Sequence, residues 1–146
     1  MVRLMTTIAC RSRLNLLMIG PMSKEPIRFR KMKDDGVDVF YPTGDGYHVN
    51  IIEKSKQEGL YAIGYVNDQS DLGEATVLTS TIQHVDSLYE LVAEKYQQGE
   101  LKPGNLTYDF QDGVITLGPF SSQVPVEVKE QIKEAVNVYV ESGKLP

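Results

Sequence analysis

A chain of 146 residues allows one domain and not two large ones. Apolar residues at 41% and charged residues at 24% exclude a disordered or collagen-like chain, and no apolar run reaches the roughly 18–20 residues of a membrane-spanning helix. The net charge of −5, with a pI near 5.0, argues against a nucleic-acid surface spread over the whole chain; the single cysteine makes no internal disulfide, and no Cys/His set has structural-zinc spacing.

The charge is unevenly divided. All five Arg and all five Met lie at or before position 32, as does Cys10. Through Lys33, eight basic residues stand against one acid, Glu25, giving +7; the rest of the chain carries −12. Residues 1–30 are thus set apart from residues 31–146. A basic start followed by an apolar stretch has the character of a secretory or lipoprotein signal, with Thr7-Ile8-Ala9-Cys10 as the candidate lipobox. Its apolar region is about six residues, short of the roughly 7–15 that a signal needs. A basic arm for nucleic acid or a membrane surface is a second reading, although the Arg and Lys form no helical stripe. The third is a segment foreign to the fold, translated from an upstream start in the wrong frame. Residues 14–19 are a short apolar run that fits a strand as well as a helix.

From Lys31 the punctuation is regular. Residues 31–35 end a helix that Gly36 closes. Residues 37–41 are a strand stopped by Pro42, and Thr43-Gly44-Asp45-Gly46 is a loop. Residues 49–58 are a helix with Val49, Ile52 and the Lys56 methylenes on one face and Gly59 as its stop. Residues 61–66 are an apolar run expected to be buried on both faces of a parallel sheet. Residues 67–75 form a polar loop and 77–80 a short strand. Residues 85–98 are a helix carrying Val85, Leu88, Leu91, Val92 and Tyr96 at helical spacing. Residues 106–110 and 114–117 read as two strands joined by a tight turn at Gln111-Asp112-Gly113. Pro125 opens a last helix, 126–142, with Val128, Ile132, Ala135, Val136 and Tyr139 as its stripe. Strands separated by helices of about ten residues imply βαβ units, so the class is α/β with a parallel sheet.

Ligands of open α/β sheets sit at the carboxyl ends of the strands. The loops 43–46, 67–70 and 79–81 occupy those positions. Gly44-x-Gly46 opens a helix as a phosphate loop would, but Val49 stands where a dinucleotide fingerprint has its third glycine, and Asp45 would repel an anion. A tight turn or a backbone close to a neutral ligand remain as readings. Asp68 either accepts hydrogen bonds from ligand hydroxyls or closes its own loop as an Asx-turn. Tyr41 and Tyr47 flank the glycine loop as strand residues or as stacking rings. His48 and His84 lie beside no Ser or Cys nucleophile and read as solvated loop or cap residues. The Glu and Lys of the last helix form a solvated face. No catalytic constellation emerges, so no enzymatic activity, cofactor or metal is expected. A flavodoxin-like or Rossmann enzyme using the Gly44 loop would need an acid–base pair that the sequence does not offer.

The segments Gly36-Val37-Asp38-Val39, Pro42-Thr43-Gly44-Asp45-Gly46, the run from Gly59 to Gln69, Val77-Leu78-Thr79-Ser80-Thr81 and Val85-Asp86 resemble the basic membrane protein family, the PnrA-like solute-binding lipoproteins of ABC transporters. Gly113-Val114, Gly118-Pro119-Phe120 and Val124-Pro125 resemble its closing segment. Residues 61–80 are most similar to Med-type members, positive regulators of competence. The resemblance covers residues 31–146. It implies the C-terminal part of a type I periplasmic-binding-protein fold, whose two lobes close on a nucleoside-like ligand, and a lipoprotein on the extracytoplasmic side of the cell membrane. It places Gly44, Asp45, Gly46 and Asp68 at the ligand. It also places Val66 where the family has a first acid and Gln83 where it has a Lys. A site that loses such partners loses affinity for a polar ligand, which suits a regulator that kept the fold; the alternative is a transporter's solute-binding component. The helix 85–98 is expected to pack on the first lobe, so that without it Val85, Leu88, Leu91 and Val92 drive self-association or marginal stability. Translating the other two frames upstream of the Lys31 codon should yield first-lobe sequence of acidic, Arg-poor composition; its absence from all three frames would refute the out-of-frame reading of residues 1–30.

Overall fold

The computed structural model describes residues 14–17, 25–44 and 46–144. The elements run β1 (Leu14–Leu17), α1 (Glu25–Asp34), β2 (Val39–Pro42), α2 (His48–Gln57), β3 (Tyr61–Val66), β4 (Val77–Gln83), α3 (Val85–Gln97), β5 (Ile115–Leu117) and α4 (Val126–Ser142). The strands form one sheet in the order β1-β2-β3-β4-β5. The first three pairings are parallel, and β4 with β5 is antiparallel. Parallel neighbours need a connection that returns along the sheet. Helices α1 and α2 make the first two returns, and the third uses the loop after β3 with one 3-10 turn, Ser70–Leu72. The lipobox residues Thr7 to Cys10 lie outside the described residues.

Two clusters build the core. Phe29 of α1, Val37, Phe40 of β2, Tyr47 and Ile51 of α2 form the first, with Met32 and Leu60 packed against it. The Phe29 and Phe40 rings lie 4.6 Å apart. Ile52 of α2, Ala62 of β3 and Val77 of β4 form the second, with Leu72 against it. Each of the larger buried side chains, such as Phe40, Ile51 and Ile52, stabilises the fold by roughly 1.5–3 kcal/mol. The face that α2 buries is Ile51, Ile52 and Ser55, a correction to the expected Val49, Ile52 and Lys56. Ser55 breaks the apolar pattern, yet its hydroxyl donates to the Ile51 carbonyl at 2.8 Å, which satisfies it inside the core. Lys56 is exposed and reaches the Leu72 carbonyl at 3.4 Å.

Strand β3 and helix α4 have the expected bounds. Strand β4 runs three residues further than expected, because Thr81, Ile82 and Gln83 pair with Leu117, Thr116 and Ile115 of β5. The expected hairpin between residues 106–110 and 114–117 does not form. Phe110–Asp112 is instead a 3-10 turn. The Asp109 carboxylate accepts from the Gln111 amide at 2.8 Å, and Asp112 accepts from the Asp109 amide at 2.9 Å. These local bonds compete with a ladder and win. Gly113 takes the left-handed conformation that the Asp-Gly pair signalled, at φ 73°, but it closes this turn and not a hairpin.

Helices α3 and α4 bury no residue. The 3-10 turn anchors α4: the Gln111 side-chain Nε2 donates to the Val140 carbonyl at 3.1 Å, and the Tyr139 hydroxyl donates to Asp109 at 2.5 Å. The Tyr139 bond, then the Gln111 amide, hold the Asp109 carboxyl below the usual carboxylate range; the same Tyr139–Asp109 bond is the main cause pushing Tyr139 up. A depressed carboxylate contributes stability that is present above its unfolded pKa, about 4, and lost as pH falls through the folded value. A raised tyrosine contributes stability that is present below about 10 and lost as pH rises through the folded value. Tyr139→Phe should therefore lower the melting temperature from about pH 5 to 9, and its difference from the parent should shrink as pH falls below the ordinary carboxylate range of about 4, as read by thermal denaturation across pH.

Candidate functional site

The carboxyl ends of β2, β3 and β4 lie side by side, because the three strands are parallel neighbours. Pro42 ends β2 and leads into Thr43-Gly44; Val66 ends β3 and leads into Asn67-Asp68; Gln83 ends β4. The loops that carry Gly44 and Asp68 thus leave adjacent strands at one edge of the sheet, where α/β folds bind ligands. Asp45 lies outside the described residues.

The glycine loop is folded on itself. The Tyr47 ring lies where a side chain on residue 44 would sit, 2.5 Å from an added Cβ, so only glycine fits there. The Gly44 amide donates to the Pro42 carbonyl at 3.2 Å, and the Gly44 carbonyl lies 3.0 Å from His48 Nδ1. Tyr47 is buried in the core cluster and is not a stacking ring. Asp68 is exposed, and its Oδ1 accepts from the Ser70 amide at 3.0 Å. That is the Asx-turn.

A polar network behind these loops holds the edge in place. The Gln69 amide donates to Ser80 Oγ at 3.0 Å, and Gln69 Oε1 accepts from the Tyr65 amide at 3.1 Å. The Ser80 hydroxyl sits where a methyl on Gly64 would be, so β3 and β4 approach closely only because residue 64 has no side chain. Thr81 Oγ1 donates to the Gly64 carbonyl at 3.2 Å and accepts from the Tyr41 hydroxyl at 2.7 Å. Tyr41 and Tyr65 meet edge to face at 6.2 Å. Burial is the main cause that pushes Tyr41 up, so it stays protonated and donates. Gln69 lies in a polar loop that the sequence marks, whereas Ser80 and Thr81, expected in a loop at 79–81, are paired within β4. Their mutual bonds join residues 11 to 40 apart, which local pattern does not disclose.

Val66 has φ 72°. A β-branched residue in the left-handed region is a genuine outlier and costs on the order of 1–3 kcal/mol. His84 is half-buried and bonds Thr116 Oγ1 at 2.8 Å, tying β4 to β5; like His48, it is less solvated than expected. Among the described residues, no group of three His, Cys, Asp or Glu could hold a metal ion. A separate groove of about 690 Å³ lies between β5 and α4, walled by Ile115, Leu117, Phe120, Ile132, Val136 and Val140.

Residues 26–146 match the family described as ABC transporter substrate-binding protein PnrA-like, and the chain belongs to that family. Its curated relatives include the transcriptional activator protein Med of Bacillus subtilis (strain 168), 50% identical over 81% of this chain and 37% of the relative. A purine-binding protein of Brucella abortus (strain 2308) is 25% identical over 84% of this chain and 34% of its own length. A crystal structure of a transcriptional activator of the comK gene from Bacillus halodurans is 57% identical, with a TM-score of 0.77, over 84% of this chain and 44% of that one. The fold is shared with solute-binding proteins of ABC transporter systems. The chain spans little more than a third of the length of the curated relatives named here.

Gly64→Ala should destabilise the protein by about 2–3 kcal/mol, the upper range for an overpacked core, because Ser80 and Gln69 both stand in the way. Adding Ser80→Gly should restore part of the loss in urea denaturation. An unchanged midpoint for Gly64→Ala would show that β3 and β4 are not in close contact.

Proposed function

We propose that this chain is the C-terminal part of a Med-type regulator that keeps a solute-binding fold, holds no nucleoside tightly and promotes gene expression without catalysing a reaction. The observation that carries the reading is the chemistry of the sheet edge. Val66 and Gln83 occupy the two positions where the resemblance expects an acid and a lysine, and one oxygen of the Asp68 carboxylate is engaged in its own turn. A polar ligand there would leave hydroxyls unpaired, each at a cost of about 1–3 kcal/mol. The names of the Bacillus relatives, a transcriptional activator and an activator of the comK gene, support the same reading.

The family's place outside the cytoplasm and the acidic body both favour indirect action on transcription over contact with DNA. Among the described residues, no helix is long and apolar enough to cross a membrane. A second reading, a transporter component for a nucleoside-like ligand, draws support from the family description and from the purine-binding relative.

Calorimetric titration with adenosine and guanosine separates the two. The chain should bind neither more tightly than about 1 mM, equivalent to roughly −4 kcal/mol. In a family-length protein, Val66→Asp with Gln83→Lys should strengthen nucleoside binding at least about tenfold, or 1.4 kcal/mol, and a comK-promoter reporter should still respond to the unaltered protein. Asp suits the left-handed backbone at position 66 better than Val, so this replacement also relieves strain. Micromolar binding by the unaltered protein would favour the transport reading. No gain from the double replacement would show that the site lies elsewhere.

A further inference from the structure

Gln69 and Ser80 are buried polar residues, 8% and 0% exposed, at the carboxyl edge of the sheet. Their Cβ atoms lie 3.1 and 2.8 Å from the place a Gly64 Cβ would take, so both side chains start from one spot between β3 and β4. Two bonds there use acceptors of these side chains. Gln69 Oε1 accepts from the Tyr65 amide at 3.1 Å, and Ser80 Oγ accepts from the Gln69 amide at 3.0 Å. Only the oxygen of a carboxamide can accept, so the Tyr65 bond fixes which way the end of Gln69 is turned.

The donors of the same two groups are unused. Among the described residues, no acceptor takes a hydrogen of Gln69 Nε2 or of the Ser80 hydroxyl. Buried Ser55, Thr79 and Ser121, by contrast, each donate to a backbone carbonyl, of Ile51, Gly118 and Glu74. A buried donor without an acceptor is costly, and folded proteins hold few of them.

We propose that Gln69 Nε2, together with the Ser80 hydroxyl, receives the carbonyl oxygen of a neutral ligand. The pair stands where α/β folds bind ligands, and it offers donors only, which call for an acceptor. Exposed Asp68 and Asp71, one residue before Gln69 and two after it, count against an anion. A ligand that presents an N–H at this point would set donor against donor, so the pair discriminates between carbonyl and amino groups. This inference rests on the reading of the edge as that of a solute-binding fold, and it adds the chemical group that the edge prefers.

Inosine and adenosine carry the same sugar and differ chiefly in a ring carbonyl against a ring amino group. Each is titrated to about 10 mM into the isotope-labelled chain and followed by nuclear magnetic resonance. Inosine should move the side-chain amide signals of Gln69 and bind at least about threefold more tightly than adenosine, the effect of one hydrogen bond. Gln69→Glu keeps an oxygen for the Tyr65 amide and replaces the donor by an acceptor, so it should invert the preference. Where that variant fails to fold, the Gln69 signals of the parent decide alone. Three results would each overturn the proposal: Gln69 signals that neither compound moves, as a donor held by an ordered water only would give; equal affinity for both; or an inosine preference that survives Gln69→Glu. The regulatory reading fails separately, on an absolute affinity tighter than about 1 mM, whereas this proposal stands or falls on the ratio between the two nucleosides.

Discussion

The close approach of β3 to β4 at Gly64 sets the position of everything on the carboxyl edge of the sheet. A missing side chain lets the Ser80 hydroxyl enter, and that hydroxyl accepts from the Gln69 amide. The Gln69 side chain then accepts from the Tyr65 amide and fixes the loop that leaves β3. From the other side, Thr81 reaches the Gly64 carbonyl and receives the Tyr41 hydroxyl of β2. Three parallel strands are thereby joined at their carboxyl ends by side chains as well as by the ladder. The bonds join groups of three strands that would otherwise lose water on packing, which is how a polar network comes to stabilise a sheet.

Much of this was legible in residue types, and the part that was not has one cause. Strand β3 and the start of helix α4 could be bounded from the apolar run and from Pro125, because local sequence determines them. The glycine stops at Gly36 and Gly59 adopt left-handed backbone as their positions required. The hairpin reading failed at Asp109, where a reciprocal cap outcompeted strand pairing. The end of β4 was misplaced because its partner β5 lies more than thirty residues away. At the candidate site, the loops of Gly44 and Asp68 could be located from the sequence, but the Tyr47 ring over Gly44 and the Gln69–Ser80 bond could not. Tertiary pairing, and not propensity, decided each of these.

The two C-terminal helices stand in a different balance from α2. Ile51 and Ile52 of α2 are fully buried, whereas α3 and α4 bury nothing completely. Their apolar stripes are as periodic as that of α2, so the difference lies in what they face. Helix α4 is held mainly at its C-terminal half by Asp109, Phe110 and Gln111. Such anchoring by exposed hydrogen bonds makes this half of the molecule the less stable part, the first to open under stress.

Val66 is where the fold and the chemistry of the edge conflict. The chain must turn sharply out of β3 to reach the Asx-turn at Asp68, and the left-handed conformation at residue 66 makes that turn. Gly, Asn or Asp would take it at little cost, and Val does so at the expense of stability. The surrounding bonds from Gln69 and Ser80 over-determine the loop and hold the strained residue in place. The loop after β3 therefore makes its sharp turn with an apolar side chain at residue 66. A polar side chain would suit both the backbone and a polar ligand, so neither consideration favours valine. What valine supplies is an apolar, partly buried end to β3 beside Ile82, its partner in β4. An edge of that kind ends β3 in an apolar side chain where a polar ligand would need a partner, which is the physical ground on which the proposed regulatory reading rests.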